Sequence, residues 1–322
     1  MSRTIVGVLR GGTSNEYALS LKTGAAMMAA LPEEKYEVRD IFIDRAGMWH
    51  MRGAPATPSR ALTQLDVVLN ALHGGVGEDG TVQRVLDRAG VPYAGSRALP
   101  SGIALNKIRA REVLQRAGVR MPRALSFSSH NDLNTAEMAG FVFSQFGPPY
   151  VVKPPNDGAG HGVTIARSIV ELPDLVANIL ERYGAVLIEE YVIGQEASVG
   201  VIDHFRDQET YVLPPAHVLH GHTHATPEHH HEARLNHRVP SSFSFLQKES
   251  LVELARMAHR ALSLSHFSRA DMIVTPRAVY LLEMNANPGL YPGASFTVML
   301  ESVGSSVPEF LEHAIHLARR AH

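Results

Sequence analysis

Four residues with the means to do chemistry stand close together near the end of the chain. Arg269-Ala270-Asp271-Met272-Ile273-Val274 is followed by a turn, Thr275-Pro276-Arg277, and then by Val279-Tyr280-Leu281-Leu282-Glu283-Met284-Asn285-Ala286-Asn287-Pro288-Gly289. The apolar alternation predicts a hairpin of two adjacent strands. Side chains alternate across a strand, so Asp271, Glu283 and Asn285 bring three oxygens to one face, with Arg269 beside them. Two carboxylates and an amide oxygen are hard ligands suited to Mg²⁺, which keeps waters and substrate phosphates in its shell. Arg269 is placed to stabilise a transferred phosphate or an oxyanion. A structural ion-pair cluster accounts for one or two of these residues, and less easily for all four on one face.

Two earlier segments carry weaker signals. Val151-Val152-Lys153 runs into Pro154-Pro155-Asn156-Asp157-Gly158-Ala159-Gly160-His161-Gly162. Glycines let a backbone approach an anion closely, and Lys153 adds positive charge; a plain hairpin turn fits the same residues. It is not the Walker pattern, which needs Gly-Lys-Ser/Thr opening a helix. In Val186-Leu187-Ile188-Glu189-Glu190-Tyr191-Val192-Ile193-Gly194-Gln195-Glu196, an apolar strand leads to separated carboxylates. Glu189 suits an adenine amino group and Glu196 ribose hydroxyls; solvated charges at a strand end are the plainer reading. The span from His217 to His237 is crowded with histidines, among them His220, His222, His224, His229, His230 and His231. It reads as a solvated loop, a weak zinc or nickel chelate, or a lid.

The elements that must position these residues alternate. Strands are expected at Thr4–Leu9, Tyr36–Ile43 and Asp66–Leu72, helices at Leu19–Leu31 and Thr81–Ala89, and glycine turns after Leu9 and Leu72. This pattern predicts an open parallel sheet, with ligands beyond the carboxyl ends of its strands. From about Ser101 the texture becomes α+β. Helices are expected at Asn106–Ala117, Leu172–Tyr183, Lys248–Leu262 and Ser306–Ala321, and boundaries near residues 97 and 185: domains 1–97, 98–184 and 185–322.

The chain of 322 residues, 45% hydrophobic and 19% charged with a net charge of −2, fits two or three compact units. No footprint for nucleic acid or anionic membrane stands out. With no cysteine, disulfides, thiolate catalysis and Cys-ligated metals are excluded. The N-terminal residues lack a signal-peptide pattern, and no apolar run approaches the roughly 20 residues that span a bilayer. A cytoplasmic protein is expected.

These segments, in this order, resemble the ATP-grasp superfamily and, within it, the D-alanine–D-alanine ligase family. The matches run along nearly the whole chain. They include Gly11-Gly12-Thr13-Ser14-Asn15-Glu16, Leu72-His73-Gly74 with Gly77-Glu78-Asp79-Gly80-Thr81, Pro92-Tyr93-Ala94-Gly95-Ser96, Asn106-Lys107, Val152-Lys153-Pro154 and Gly194-Gln195-Glu196, besides the hairpin. The resemblance implies an ATP-grasp fold: an N-terminal α/β domain followed by two α+β subdomains that sandwich ATP. It implies that Lys107 and Lys153 bind phosphates. Glu189, with backbone groups near Glu190 and Val192, would hold adenine, and Glu196 the ribose. Asp271, Glu283 and Asn285 would hold two Mg²⁺ (or Mn²⁺). Glu16 would bind the ammonium of the first amino acid, with His73 and Leu19 close by. Arg269 and the Gly289 N–H would stabilise the tetrahedral intermediate. The implied product is D-alanyl-D-alanine for peptidoglycan precursor synthesis, and the implied assembly a homodimer.

The sequence departs from the family in three places. Ala159-Gly160 stand where neighbouring serines are usual. An ungapped count back from Val239-Pro240 puts His229-His230 at the lid's Lys-Tyr pair, which makes His230 a candidate catalytic residue. Imidazole titrates near neutrality, so product choice would depend on pH. Ala294 holds the position of a serine that binds the second substrate, with Ser295 one residue late. The alternatives are therefore a ligase using D-lactate, D-serine or another amino acid, or a non-catalytic nucleotide-binding relative.

Overall fold

The computed structural model describes residues 3–158, 160–219 and 236–320. The N-terminal part contains β1 (Thr4–Gly11), α1 (Tyr17–Ala30), β2 (Tyr36–Ile43), β3 (Trp49–Met51), β4 (Ala54–Ala56), α2 (Pro58–Leu62), β5 (Val67–Asn70) and α3 (Thr81–Ala89). Its sheet has the order β4-β3-β2-β1-β5. β1 runs parallel to β2 and β5. The middle of β1 is buried, as expected of a central parallel strand covered on both faces. β3 and β4 add an antiparallel edge, so the expected parallel sheet is mixed. Three-residue strands such as these leave no period to read. Tyr93 adds a single parallel bridge to Val68.

The middle of the chain holds α4 (Ala98–Leu105), α5 (Lys107–Arg116), β6 (Ala124–Ser128), α6 (Thr135–Gln145), β7 (Tyr150–Lys153), β8 (Thr164–Ala166), α7 (Leu172–Tyr183) and β9 (Ala185–Glu190). An antiparallel sheet of order β6-β9-β7-β8 carries a core of Phe127, Val142, Tyr150, Val176 and Ile188. Asn134 and Glu137 close a capping box at the start of α6, satisfying two otherwise unpaired donors.

The C-terminal part contains β10 (Gln195–Asp203), β11 (Thr210–Val212), β12 (Ala216–Leu219), β13 (Asn236–Arg238), α8 (Phe245–Ala261), β14 (Phe267–Val274), β15 (Val279–Asn285), α9 (Ser295–Ser302) and α10 (Val307–Arg320). The sheet order is β13-β12-β10-β14-β15, with β11 also on β10.

β9 begins at residue 185 but pairs with β6 and β7, so the chain leaves the central sheet after Glu190. Ala104, Ala110 and Leu114 of α4 and α5 share a core with Val199, Leu251 and Met272, so these helices pack with the C-terminal sheet. Hydrophobic burial, rather than chain order, assigns them.

A further core joins the N-terminal sheet to the C-terminal helices, with Val6, Met27 and Val67 in the same cluster as Phe296, Phe310 and Ile315. Polar links reinforce that junction. Asn287 Nδ2 donates to the Leu72 carbonyl at 2.8 Å. The Gly95 N–H donates to His266 Nδ1 at 3.1 Å, and the His266 N–H to Asp203 Oδ2 at 2.7 Å. His313 Nε2 reaches the Asp203 carbonyl at 2.7 Å, and His259 Nε2 lies 3.2 Å from Asp203 Oδ1.

Candidate active site

β14 and β15 pair as an antiparallel hairpin. Arg269 pairs with Asn285 and Asp271 with Glu283, with an irregularity after Asp271. Ala270, Met272, Leu281 and Met284 point into the core, which leaves Arg269, Asp271, Glu283 and Asn285 together on the opposite face. Each polar group on that face has a partner. Arg269 forks onto Asp271, with Nη2 to Oδ2 at 2.7 Å and Nε to Oδ1 at 2.9 Å. Ser198 Oγ donates to Asp271 Oδ1 at 2.7 Å, and Asn285 Oδ1 accepts the Asn287 N–H at 2.8 Å.

Lys107 meets this face from α5. Asn106 caps the helix by accepting the Arg109 N–H at 3.0 Å, which places Lys107 at the first helical position. A cation there opposes the helix dipole, and it is compensated by Glu283 Oε2 at 2.9 Å. Lys107 Nζ also donates to the Asp157 carbonyl at 2.9 Å, and its backbone N–H to the Pro155 carbonyl at 2.7 Å. The glycine-containing loop after β7 is thus tied to the hairpin through one lysine. Lys107 holds the Glu283 carboxyl down at about 2, against the opposing cost of burial.

Lys153 ends β7 and is buried. Its Nζ lies 2.6 Å from Glu189 Oε2, and Arg111 Nη1 lies 3.0 Å from Glu189 Oε1. Both oxygens of Glu189, the expected adenine ligand, are therefore engaged by side-chain cations. Glu190 is bound through Arg123, whose Nε donates to Oε2 at 2.7 Å and whose N–H donates to Oε1 at 2.8 Å. Val192 and Glu196 are half-buried on the segment leading from β9 into β10.

Glu16 sits at the start of α1. Its position is set from below by Ser20, whose Oγ accepts the Gly11 N–H at 2.8 Å. A Cβ added to Gly74 would lie 2.7 Å from Glu16 Oε1, and one added to Gly158 would overlap the same oxygen. Glycine at the two turns, one from the N-terminal sheet and one from the central loop, leaves this carboxyl where it stands; a side chain at either would push it aside. Burial, reinforced by the charges of Glu78, Glu283 and Asp157, pushes Glu16 up to about 8. His73 is buried beside it, with Nε2 2.9 Å from Thr23 Oγ1 and Nδ1 3.6 Å from Glu78 Oε1. Leu19 is half-buried one turn along α1. Gly289 follows the hairpin; a Cβ there would lie 2.7 Å from the Tyr291 ring and 3.7 Å from Thr23 Oγ1. Ser295 is buried as the first residue of α9, with Ala294 at its cap. His230 and its neighbours in the histidine-rich segment lie outside the described residues.

The structure thus brings Glu16 at the start of α1, Lys107 of α5, Asp157 of the loop after β7 and Glu283 of β15 within electrostatic reach of one another. Among the described residues no three His, Asp or Glu side chains are gathered to hold a metal. The donor set on the hairpin still fits Mg²⁺, because its oxygens are hard and its two carboxylates are balanced by displaceable side-chain cations. No helix among the described residues is long and apolar enough to cross a membrane.

Three sheets, the central and C-terminal ones linked where Lys107 bridges the loop after β7 and a carboxylate-bearing hairpin, define an ATP-grasp ligase. The chain belongs to the D-alanine–D-alanine ligase family: residues 113–316 match the family's C-terminal profile and residues 50–96 its N-terminal profile. It is 32% identical over 320 residues to the D-alanine–D-alanine ligase of Desulforudis audaxviator strain MP104C, covering 98% of each chain. It is also 32% identical over 316 residues to that of Sinorhizobium fredii, covering 97% of this chain and 96% of the other. Among solved structures, the D-alanine–D-alanine ligase of Bacillus anthracis complexed with ATP aligns with a TM-score of 0.82 and 27% identity, over 99% of this chain and 98% of that one. The D-Ala:D-Ser ligase of Enterococcus faecalis shares the fold, with a TM-score of 0.85 and 23% identity over 98% of this chain and 100% of that one.

Arg111 was not singled out in the sequence, yet it is as buried as the lysine it assists. The available signal was its spacing of four residues from Lys107, which puts both on one face of α5.

Proposed function

We propose that the chain joins two D-alanines at the expense of ATP, through an acyl-phosphate, giving D-alanyl-D-alanine, ADP and phosphate. The observation that carries this reading is the convergence of the Arg269–Asp271–Glu283–Asn285 face with Lys107 and Glu16. A carboxylate is a poor electrophile, so the first D-alanine attacks the γ-phosphate of ATP. Lys107 and Lys153 offset the charge that crowds there. Two Mg²⁺ held by Asp271, Glu283 and Asn285 supply further neutralisation of the phosphates when bound.

Glu16 binds the ammonium of the first D-alanine, with His73 and Leu19 alongside. The amine of the second D-alanine then attacks the acyl-phosphate carbonyl, and phosphate departs. Arg269 and the Gly289 N–H stabilise the oxyanion. Adenine rests on the backbone from Glu190 to Val192 and the ribose on Glu196; Glu189 acts mainly by holding Lys153. The ATP bound by the Bacillus anthracis relative supports the nucleotide. A cytoplasmic homodimer fits the family.

A second reading is favoured by Ala294, Ser295 and the lid histidines: the second substrate is D-lactate or D-serine rather than D-alanine. The two are separated by measuring ADP release with Mg-ATP and D-alanine, with and without D-lactate or D-serine, at pH 6 and pH 8. D-alanyl-D-alanine detected by mass spectrometry with D-alanine alone supports the first reading. Turnover only with another acceptor supports the second. His230→Ala should alter acceptor preference or its pH profile; an unchanged profile removes His230 from the chemistry.

A further inference from the structure

Glu189 has one carboxylate and two cations. Lys153 Nζ is 2.6 Å from Oε2 and Arg111 Nη1 is 3.0 Å from Oε1. Arg111 is 5% exposed, Lys153 6% and Glu189 2%, so water screens none of them well. Nε and Nη2 of Arg111 are buried with no hydrogen-bond partner among the described residues. A guanidinium kept in such a place, with two of its donors unused, is costly, and it gives no evident packing advantage over an apolar side chain.

The charges explain its presence. A lysine in contact with a lone buried carboxylate forms a neutral pair and attracts an anion weakly. A carboxylate shared between two cations leaves a surplus of one positive charge. The surplus is expressed at Lys153, which ends β7 where the glycine-containing loop begins, while Arg111 is held on the flank of α5. The direct contacts of the neighbouring charges lie elsewhere, Lys107 on Glu283 and Glu190 on Arg123. At longer range Glu283 acts on Lys153, Glu190 on Arg111 and Lys107 on Glu189, so the contact partners set the local balance and these couplings modulate it.

We propose that Arg111 is a positioning residue that keeps Lys153 electrostatically free to hold a nucleotide phosphate, by taking half of the Glu189 carboxylate. This rests on the reading that Lys153 binds phosphate. Removing Arg111 lets Glu189 neutralise Lys153. Removing the charge of Glu189 as well sets Lys153 free again, so the second substitution rescues the first. A purely structural role for Arg111 has no such rescue.

The test is ADP binding to the full chain by calorimetry in the absence of divalent metal. Arg111→Met should weaken ADP binding by on the order of tenfold or more. The double variant Arg111→Met/Glu189→Gln should bind ADP at least about threefold more tightly than Arg111→Met alone, a coupling that a double-mutant cycle isolates. Arg111→Lys, which keeps the charge, should stay within about threefold. A double variant as weak as Arg111→Met overturns the proposal, and so does an Arg111→Met variant that binds like the parent. If Arg111→Met fails to melt cooperatively, Arg111→Lys decides: a loss of about tenfold in a folded Arg111→Lys protein overturns the proposal. Absence of ADP binding by the parent chain would instead overturn the nucleotide reading, whereas equal binding by parent and Arg111→Met leaves that reading intact.

Discussion

The ammonium of Lys107 lies 2.9 Å from Glu283 Oε2, joining the first residue of α5 to the strand that closes the C-terminal sheet. On the proposed reading the lysine stands against a carboxylate that phosphate-bound metal would claim, so nucleotide binding would exchange one cation for another. Glu283→Gln keeps the side-chain shape and removes the charge. ADP release in the presence of Mg-ATP and D-alanine should fall by at least about a hundredfold. Turnover near that of the parent would show that Glu283 is not a metal ligand.

The same contact predicts that Lys107→Met raises the affinity for a divalent ion in the absence of nucleotide. Removing the competing ammonium leaves Glu283 open, and the gain should be several-fold, roughly the strength of one charge-assisted contact. Mn²⁺ titration followed by electron paramagnetic resonance measures it directly. An unchanged or weaker affinity would mean that Lys107 and the metal do not compete.

Glu16 stands at about 8, so at neutral pH the free protein carries it largely protonated. An ammonium group requires the carboxylate, so binding of the first amino acid releases a proton. Affinity for D-alanine should rise about tenfold per pH unit from pH 6 to 7 and level off near pH 8. Calorimetry in buffers of different ionisation enthalpy reads the proton count. Binding with no proton release would place the ammonium elsewhere.

His266 is a pH-sensitive part of the junction between the first and last parts of the chain. Burial pushes it down to about 4, against the pull of Asp203, with Arg97, His313 and His204 adding to the depression. The unfolded chain takes up the proton first, near the ordinary histidine value, so the stability gained from a neutral His266 is present above that value. It is lost as pH falls toward 4. Between pH 7 and 4.5 this loss is on the order of 1–3 kcal/mol. Denaturant unfolding of His266→Phe should show a smaller drop over the same range than the parent; an identical drop assigns the effect to other groups.

Asn287 tests the other polar link at that junction. Its Nδ2 donates to the buried Leu72 carbonyl at 2.8 Å. Asn287→Ala leaves that acceptor unpaired and should cost about 1–2 kcal/mol in denaturant unfolding. A change within experimental error would mean that the carbonyl finds another donor.

How much of this was legible in the sequence follows from which physical signals survive without coordinates. The hairpin face was legible because strand alternation fixes which side chains share a side, and Arg269, Asp271, Glu283 and Asn285 obey it. Lys107 was found through the resemblance alone. Arg111 was hidden in Lys107-Ile108-Arg109-Ala110-Arg111, where one buried arginine looks like its exposed neighbours. The engagement of Glu189 was likewise hidden, since its two partners come from α5 and β7. Which sheet α4, α5 and β9 join was hidden too, because α4 and α5 choose their sheet by apolar contact and β9 pairs with the sheet that precedes it.

Glu16 is walled by two glycines that belong to different sheets, Gly74 and Gly158. A side chain on either one meets the carboxyl oxygen, so it is the carboxyl that must give way. Any change at these turns therefore acts on Glu16 before it acts on a bound molecule. A library aimed at accepting larger D-amino acids should leave both turns untouched, because an alanine at either one displaces the carboxyl that, on the proposed reading, the first amino acid's ammonium would need.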